Sequence, residues 1–506
     1  MGFTDLKRTS ITNGKEDVNI SSPLTVFGEI LVANLVPNAQ GDFVNNINSQ
    51  VFSTSSFAGA TVTQAGGMAE LNSGTSASGS ATVSLRRGLE YRPGQGSMMR
   101  ATALYDTPDA GNAQFIGVGT SECGYFVGYF GTSFGILHSS TGAREIRRLD
   151  ITTGAGTGNV TVTLNGSAVV IPVTGGGIAE QTAYQLSKGD YSQVGSGGWL
   201  ADAQSGSVYY ISARSAAAFD GAYSVAGSSI VGSFTQVQDS ESQTNDFIPS
   251  GSFNIDKLDG NGPSGMNFDP EKGNVFQIAY QYLGFGNAVF SIENPETGLI
   301  IPFHMIKNAN ARTTPVLKNP NMFVLATSAN IGGSTSKTLR TVSMASFTEG
   351  KVEKLDPKYA KSFNIDISTS TYKPFAIIKS NRVFNDQSNY GEFDILRMAV
   401  SNESTNKTMS IALFLDATVT GPVNFQYADE TCSIVSYAEV NPSSQTINDI
   451  ANLTPFYEII VGPGGTESER VEMLKLIFQI GRDVVVAVKT TGTVAGTFSI
   501  NWFEQQ

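Results

Sequence analysis

Apolar and polar residues alternate with a period of two along much of the chain, and the clearest instance begins at residue 276. Every second position from there is large and apolar or aromatic: Phe276, Ile278, Tyr280 and Tyr282. This period is typical of a strand with one buried face. A glycine-containing corner follows at residues 283–286, the alternation resumes at 288–292, and a turn cluster at 294–298 precedes a third apolar run at 299–306. The pattern predicts three consecutive strands that seed a β-sheet core.

Residues 85–176 combine the same alternation with many short turns, and they predict a β-sandwich domain. Strands are expected at residues 98–105, 124–129, 134–138 and 145–151. The clearest hairpin joins residues 160–164 to residues 167–171 through Asn165 and Gly166. An Asn-Gly pair supplies the two positive φ angles that a type I′ turn requires.

The rest of the chain continues in the same manner, with one predicted helix. Residues 179–188 predict a short helix that ends at Gly189. Period-two runs recur at residues 363–367, 409–415 and 498–502. Residues 466–469 fit a helix capping box, and Val471, Leu474 and Phe478 behind them allow one helix. The run into residues 483–486 also fits a strand, so both alternatives stay open. The predicted fold class is therefore all-β, with several β-sandwich or jelly-roll-like domains and few short helices.

Changes in composition divide the chain into five predicted segments. Residues 1–50 form an N-terminal anchoring segment, in which a polar lead-in is followed by an apolar run. Residues 51–84 are rich in Ser, Gly and Thr and form either a flexible linker or Ser/Thr-rich strands. Residues 85–176, 177–345 and 346–506 are expected to be three β domains.

Composition and charge exclude several classes of protein. The formal net charge of −12 argues against nucleic-acid binding by counterion release and against attraction to an anionic membrane surface. No apolar run is long enough for a membrane-spanning helix, and the N-terminus lacks the apolar region of a secretory signal, so synthesis in a cytoplasm without membrane insertion is expected. Cys123 and Cys432, the only two cysteines, exclude a disulfide scaffold and a cysteine zinc cluster.

Motifs that would indicate catalysis are weak. His138 and His304 are the only histidines, and each lies beside apolar residues at a predicted strand end, which favours a half-buried packing role. Residues 131–135 match the Gly-x-Ser-x-Gly pattern, but a nucleophile elbow needs a helix after the serine, and strands are predicted on both sides. Residues 260–265 match the spacing of the dinucleotide fingerprint without a helix behind them. The chain is therefore not predicted to be an enzyme.

Two sets of residues are candidates for binding. Asp256, Asp259 and Asn261 place oxygen ligands on a glycine-rich loop, which is suited either to calcium or to an ordered loop of Asx turns without metal. No other cofactor is predicted. Exposed aromatic rings can stack on sugars, whereas buried ones serve the core. The aromatic candidates for stacking on carbohydrate are Tyr125, Tyr129, Phe130 and Tyr191.

Several longer stretches resemble a known class of viral proteins. They are residues 87–96, 124–138, 256–266, 281–286 and 304–310. Together they resemble virion-surface structural proteins, of the fibre, spike or decoration type, from tailed bacteriophages and other large double-stranded DNA viruses. The resemblance covers roughly residues 85–345 and brings no catalytic residues with it.

The resemblance implies a structural protein on the outside of a virion that contributes to attachment to the host surface. It implies a homotrimer, contacts with other virion proteins through residues 1–50, and a host glycan as a further partner. The alternatives are a capsid decoration or tail structural protein without receptor binding, and a polysaccharide-degrading tailspike enzyme.

Overall fold

The computed structural model describes residues 7–12, 15–19, 34–89, 91–195, 197–215, 219–350, 358–470, 477–478 and 480–505. Within these residues every strand pairing is antiparallel, and the strands form sheets that pack around apolar cores. The predicted all-β class, with sandwich-like domains and few helices, is confirmed.

The elements lie in the following order. The first part contains β1 Lys7–Thr12, β2 Lys15–Asn19, β3 Leu35–Asp42, β4 Phe52–Phe57, β5 Thr61–Ala65, β6 Met68–Asn72, β7 Ser80–Leu85, β8 Ser97–Ala103, β9 Asn112–Gly119, β10 Gly124–Phe130 and β11 Ser133–Ser139. The second contains β12 Arg144–Thr153, β13 Gly156–Leu164, β14 Ser167–Gly176, α1 Ala179–Ser187, β15 Trp199–Gln204, β16 Ser207–Ser215, β17 Ser224–Ala226 and β18 Val231–Gln238. The third contains β19 Asn245–Pro249, a 3-10 turn at Ser250–Ser252, β20 Asn274–Tyr280, β21 Ala288–Glu293, β22 Ile300–Ile306, β23 Phe323–Asn330, β24 Thr338–Thr341 and β25 Ser343–Glu349. The fourth contains β26 Lys358–Ile367, β27 Lys373–Ser380, β28 Val383–Phe384, β29 Gln387–Ser388, β30 Glu392–Asn402, β31 Met409–Leu415, β32 Gln426–Tyr427, β33 Val435–Glu439, a 3-10 turn at Ile450–Asn452, β34 Tyr457–Val461, β35 Thr466–Arg470, β36 Ile477–Phe478, β37 Asp483–Thr490 and β38 Val494–Gln505.

The first sandwich is built from two separated parts of the chain. A seven-stranded sheet has the order β19-β11-β10-β9-β23-β7-β4, and a six-stranded sheet has the order β22-β21-β20-β8-β25-β3. Side chains from both sheets form one core. The three strands predicted at residues 276–306 are confirmed as the consecutive strands β20, β21 and β22.

A second unit is inserted between β11 and β19. Residues 144–238 form a four-stranded sheet, a three-stranded sheet and the helix α1 around their own core. The helix predicted at 179–188 is confirmed. The predicted hairpin is also confirmed, because Asn165 and Gly166 have φ angles of 49° and 79° between β13 and β14. The insert starts and ends on neighbouring strands, since Ser139 of β11 pairs with Asn245 of β19.

The C-terminal sandwich packs a sheet containing β26, β38, β30 and β35 against the six-stranded sheet β32-β33-β27-β37-β31-β34. The helix capping box predicted at residues 466–469 is wrong, since these residues form β35, which pairs with β30. The strand alternative for the run into residues 483–486 is confirmed as β37. Val471 and Leu474, which supported the helix, lie outside the described part of the chain.

The observed sheets divide the chain differently from the sequence prediction. Residues 51–84 form strands rather than a linker, and β7 and β23 pair within the same sheet. The predicted boundary at residue 176 falls inside the insert, where β12 pairs with β16 and β18. Part of the predicted anchoring segment belongs to the first sandwich, because β3 pairs with β25. Alternation identifies strands but does not name their partners, and this is why the nesting was not predicted.

Candidate functional site

Three of the four predicted carbohydrate-stacking residues are buried, which corrects that prediction. Tyr125, Tyr129 and Tyr191 are 1%, 7% and 2% exposed. Their rings fill the sandwich and insert cores and present no face to a ligand. Phe130 is 46% exposed and lies 5.7 Å from the ring of Phe247, so it alone keeps an accessible face. Alternation places aromatic residues on a face of a strand, but it does not say whether another sheet covers that face.

Both histidines have packing roles. The Nε2 atom of His138 lies 3.3 Å from the carbonyl oxygen of Val316, and burial, followed by the charge of Arg312, lowers the pKa of His138 to about 4. The Nδ1 atom of His304 accepts a hydrogen bond of 3.2 Å from the backbone N–H of Asn254, and burial lowers the pKa of His304 to about 4. Both rings are therefore neutral near pH 7.

The acidic loop is held by its own backbone. The two carboxylate oxygens of Asp256 accept hydrogen bonds from the backbone N–H groups of Leu258 and Ser264, each at 2.8 Å. Burial raises the pKa of Asp256, but these bonds outweigh it and leave the pKa below its ordinary value. Asp259 likewise accepts from the backbone N–H of Asn261 at 2.9 Å.

This arrangement is the Asx-turn alternative for the acidic loop. Among the residues that the structure describes, no group of three or more acidic, histidine or cysteine side chains is arranged to hold a metal. Calcium binding by the loop stays a prediction.

The two motifs with enzyme-like spacing form turns. Gly131 has a φ of 61° in the hairpin between β10 and β11, as predicted for the Gly-x-Ser-x-Gly match. Residues 260–265 form turns and bends with no helix after them, so the dinucleotide fingerprint lacks its helix N-terminus.

A cleft of about 590 Å³ lies between the insert and the C-terminal sandwich. This volume falls in the range of small-molecule binding sites. One wall carries side chains of β12 and β16 together with the end of β15 and its turn into β16. The other wall carries residues 424–427 and Glu430. None of these residues was among the sequence-predicted site residues.

The insert wall is arranged by the register of two strands. Arg148 pairs with Tyr209, and Asp150 pairs with Ser207. The Nε atom of Arg148 donates to Asp150 Oδ2 at 3.1 Å, and Ser207 Oγ donates to Asp150 Oδ1 at 2.7 Å. Hydrogen bonding to the Tyr209 oxygen raises the pKa of Arg148, while burial raises the pKa of Tyr209. A phenol, a guanidinium and a carboxylate therefore stand side by side on this wall.

The opposite wall is joined to the insert by two direct hydrogen bonds. The hydroxyl of Tyr427 donates to Gln204 Oε1 at 2.6 Å, and Ser205 Oγ donates to Asn424 Oδ1 at 3.1 Å. Burial, followed by the charge of Asp202, raises the pKa of Tyr427, so its phenol stays protonated at neutral pH. In the cleft lining the rings of Tyr209 and Tyr427 are half-buried, and Glu430 is exposed.

A buried ion pair lies beneath the cleft. Lys379 of β27 donates to Asp202 of β15 and, at 2.5 Å, to the carbonyl oxygen of Ala203. Its ammonium lies 4.2 Å from the ring centroid of Phe425, which lines the cleft. Burial raises the pKa of Asp202, but Lys379 outweighs it and the net shift is downward. The ion pair fixes the insert against the C-terminal sandwich and so fixes the distance between the two walls.

The sequence pattern of β16 could have indicated one wall of this cleft. In β16 the alternation buries Val208 and Tyr210 and leaves Tyr209 on the other face. The position of the opposite wall could not be predicted in this way. Its contact with the insert joins Ser205 to Asn424, which are 219 positions apart in the chain, and a local pattern carries no information about such a contact.

Comparisons with known proteins identify no family. No protein-family model and no curated protein matches this chain. Among solved structures, it is similar to a legume lectin-like domain from Entamoeba histolytica, with 10% identity, 59% of this chain and 89% of that chain covered, and a TM-score of 0.25. It is also similar to a glycoside hydrolase family 16 endo-glucanase from Bacteroides ovatus, with 10% identity, 60% and 98% coverage, and a TM-score of 0.25. Scores this low carry no functional argument.

A third solved structure, from work on endo-acting O-glycanases of the human gut microbiota, shares 8% identity, with 62% of this chain and 98% of that chain covered and a TM-score of 0.28.

No helix among the described residues is both long and apolar enough to cross a membrane.

Proposed function

We propose that this chain is a virion-surface structural protein that contributes to host attachment by binding a neutral carbohydrate in the cleft between the insert and the C-terminal sandwich. The observation that carries the binding proposal is the cleft lining. Rings of Tyr209 and Tyr427 stand among hydroxyl, amide, guanidinium and carboxylate groups. Sugars are recognised by this combination, because their C–H faces stack on aromatic rings while their hydroxyls exchange hydrogen bonds.

The charges of the cleft favour neutral sugars over acidic ones. The guanidinium of Arg148 is already paired with Asp150, at 2.9 Å. Glu430 adds a carboxylate to the rim, and Asp386 lies near enough to raise the pKa of both tyrosines, after larger effects. A sialic or uronic acid would bring a further negative charge into this environment and would be repelled.

A glycan array with neutral and acidic sugars, followed by calorimetry on the best neutral ligand, tests the binding proposal. Tyr209→Ala removes a half-buried ring from the cleft lining and is expected to lower affinity about fivefold or more, since one stacked ring is worth roughly 1–3 kcal/mol where bases stack on aromatics. Phe285→Ala is the matched control, because Phe285 is an exposed aromatic outside the cleft. An array without any hit, or equal affinity for the Tyr209 variant, would overturn the proposal.

The expected preference for neutral over acidic sugars can be tested by removing one charge from the cleft rim. Glu430→Gln is expected to raise the affinity for an acidic sugar relative to its neutral analogue. Glu296→Gln, at an exposed turn of the first sandwich, is the matched control and should leave the ratio unchanged. If the unaltered protein binds acidic sugars more tightly than neutral ones, the expected preference for neutral sugars is wrong.

The virion placement is supported by the resemblance across roughly residues 85–345. Its test is removal of residues 1–33, which leaves β3 in the first sandwich. We expect the truncated protein to keep its unfolding temperature and to lose attachment to particles. Mass photometry of the full chain is expected to show a trimer. If particles bind the truncated chain as strongly as they bind the full chain, the anchoring role is contradicted.

A further inference from the structure

We infer that the carbohydrate site extends into a second groove, so that its ligand is an oligosaccharide of several units rather than a single sugar. This inference rests on the proposed function. The second groove, of about 330 Å³, lies where residues 319–321 of the first sandwich meet residues 384–391 of the C-terminal sandwich. We call it the amide groove, after its five amide side chains: Asn319, Asn321, Asn385, Gln387 and Asn389.

The amide groove presents neutral hydrogen-bonding groups. The side-chain oxygen of Asn319 accepts from the backbone N–H of Asn321 at 2.9 Å, and that of Asn321 accepts from the backbone N–H of Tyr91 at 2.8 Å. These two bonds use the amide oxygens and do not involve the amide NH₂ groups. Asn385 and Gln387 are exposed on the opposite rim. Among the described residues that line the groove, none carries a charged side chain. Hydroxyl and acetamido groups of a neutral glycan match this lining.

One short hairpin separates the amide groove from the cleft. Strands β28 and β29 pair through a two-residue turn, in which Asn385 and Asp386 have φ angles of 48° and 57°. On one side of the hairpin, Phe384 lines the groove and its ring lies 6.2 Å from that of Tyr427 in the cleft.

The hairpin is also tied to the cleft through its backbone. Gln204, a cleft residue, donates to the carbonyl oxygen of Val383 at 3.1 Å. A ligand that occupies both sites must pass across the hairpin. Because paired strands lie about 4.8 Å apart, such a ligand is longer than one sugar ring.

The base of the hairpin is held in place by all three units. The hydroxyl of Tyr390 donates to Glu122 of the first sandwich at 2.7 Å, and the Arg144 guanidinium of the insert lies 5.3 Å from the Tyr390 ring centroid. Arg144 also donates through Nε to Ser388 Oγ at 3.2 Å. The two sites are thus fixed relative to one another before a ligand arrives, which lowers the entropic cost of binding a longer chain.

Calorimetry with a length series of the best neutral glycan tests the inference. Affinity is expected to rise at least tenfold between the shortest fragment that binds and a fragment that is several units longer. The variant Asn385→Gly/Gln387→Ala removes two rim amides, while glycine keeps the positive φ of the turn. It is expected to abolish the gain with length and to leave the affinity of the shortest fragment unchanged. The control Asn45→Ala/Asn46→Ala removes two exposed amides elsewhere and should retain the full gain.

The outcomes separate this inference from the proposed function. If no glycan binds, both fall. If short fragments bind and Tyr209→Ala abolishes that binding, the proposed function stands. In that case, an affinity that does not depend on length, or a gain that survives in the rim variant, overturns the extended site alone.

Discussion

The interior of the first sandwich and the junction beneath the cleft are equally hidden from solvent, yet they are filled with different chemistry. In the sandwich, Phe276 and Phe290 are fully buried among other aromatic and aliphatic side chains. In the junction, Lys379 and Asp202 are 2% and 4% exposed and are held by each other. The sandwich therefore depends on shape and apolar area, whereas the junction depends on the presence of both charges.

The two regions should tolerate different kinds of substitution. An apolar core accepts a smaller apolar residue at moderate cost. A buried ion pair does not accept the loss of one partner, because the other is left as an uncompensated charge. Four perturbations test this contrast: loss of one partner of the ion pair, acidification, truncation of a core side chain and truncation of an exposed one.

Lys379→Met should have the largest effect. It leaves Asp202 buried without its partner and is expected to lower the free energy of unfolding by about 3–5 kcal/mol. Urea denaturation measures the change. The double variant Lys379→Met/Asp202→Asn should recover at least half of the loss, because neither member of the pair is left charged without the other. A single variant as stable as the unaltered protein would show that the junction does not rely on the pair.

Acidification should destabilise the first sandwich through its histidines. The pKa of His138 is about 4 in the folded protein, against about 6.5 in an unfolded chain. Between these values the unfolded chain binds a proton that the folded one does not, so stability is complete above pH 6.5 and falls as the pH drops towards 4. The loss from His138 should reach about 2 kcal/mol at pH 5. His138→Gln should flatten the slope of unfolding free energy against pH, and an unchanged slope would refute the assignment.

Ile278→Val probes the sandwich core by removing one methylene group from a buried side chain. The expected loss is about 0.5–1.5 kcal/mol, because the lost apolar contact leaves a small cavity. Thermal and urea unfolding should agree on this value. A loss as large as that of Lys379→Met would remove the distinction between the two regions.

Phe130→Ala should have the smallest effect, since its ring is only partly covered. We expect a change within about 0.5 kcal/mol, as for most surface positions. The adjacent Tyr129→Ala serves as a contrast, because its buried ring should cost several times more. If both variants lose the same free energy of unfolding, the exposure of the side chain does not determine the loss.

The sequence allowed the local elements to be predicted but not their assembly. The Asn165–Gly166 turn and the helix α1 depend on neighbouring residues, and both were predicted. The position of β23 between β9 and β7 depends on contacts across distant parts of the chain, which alternation does not encode. The cleft was missed for the same reason, because its two walls meet only after the insert has packed on the C-terminal sandwich. Tyr125 and Tyr129 were misplaced as ligand-stacking candidates because aromatic strands look alike whether covered or open.

The neighbouring entry and exit points of the insert have a consequence for how such a chain can change over time. Because Ser139 and Asn245 face each other across one strand pair, any cassette whose ends lie about 5 Å apart fits between them without disturbing the host sheet. Recombination at these two points can therefore exchange one whole wall of the cleft in a single event. A lineage can in this way acquire a new ligand preference while the remaining architecture is inherited intact.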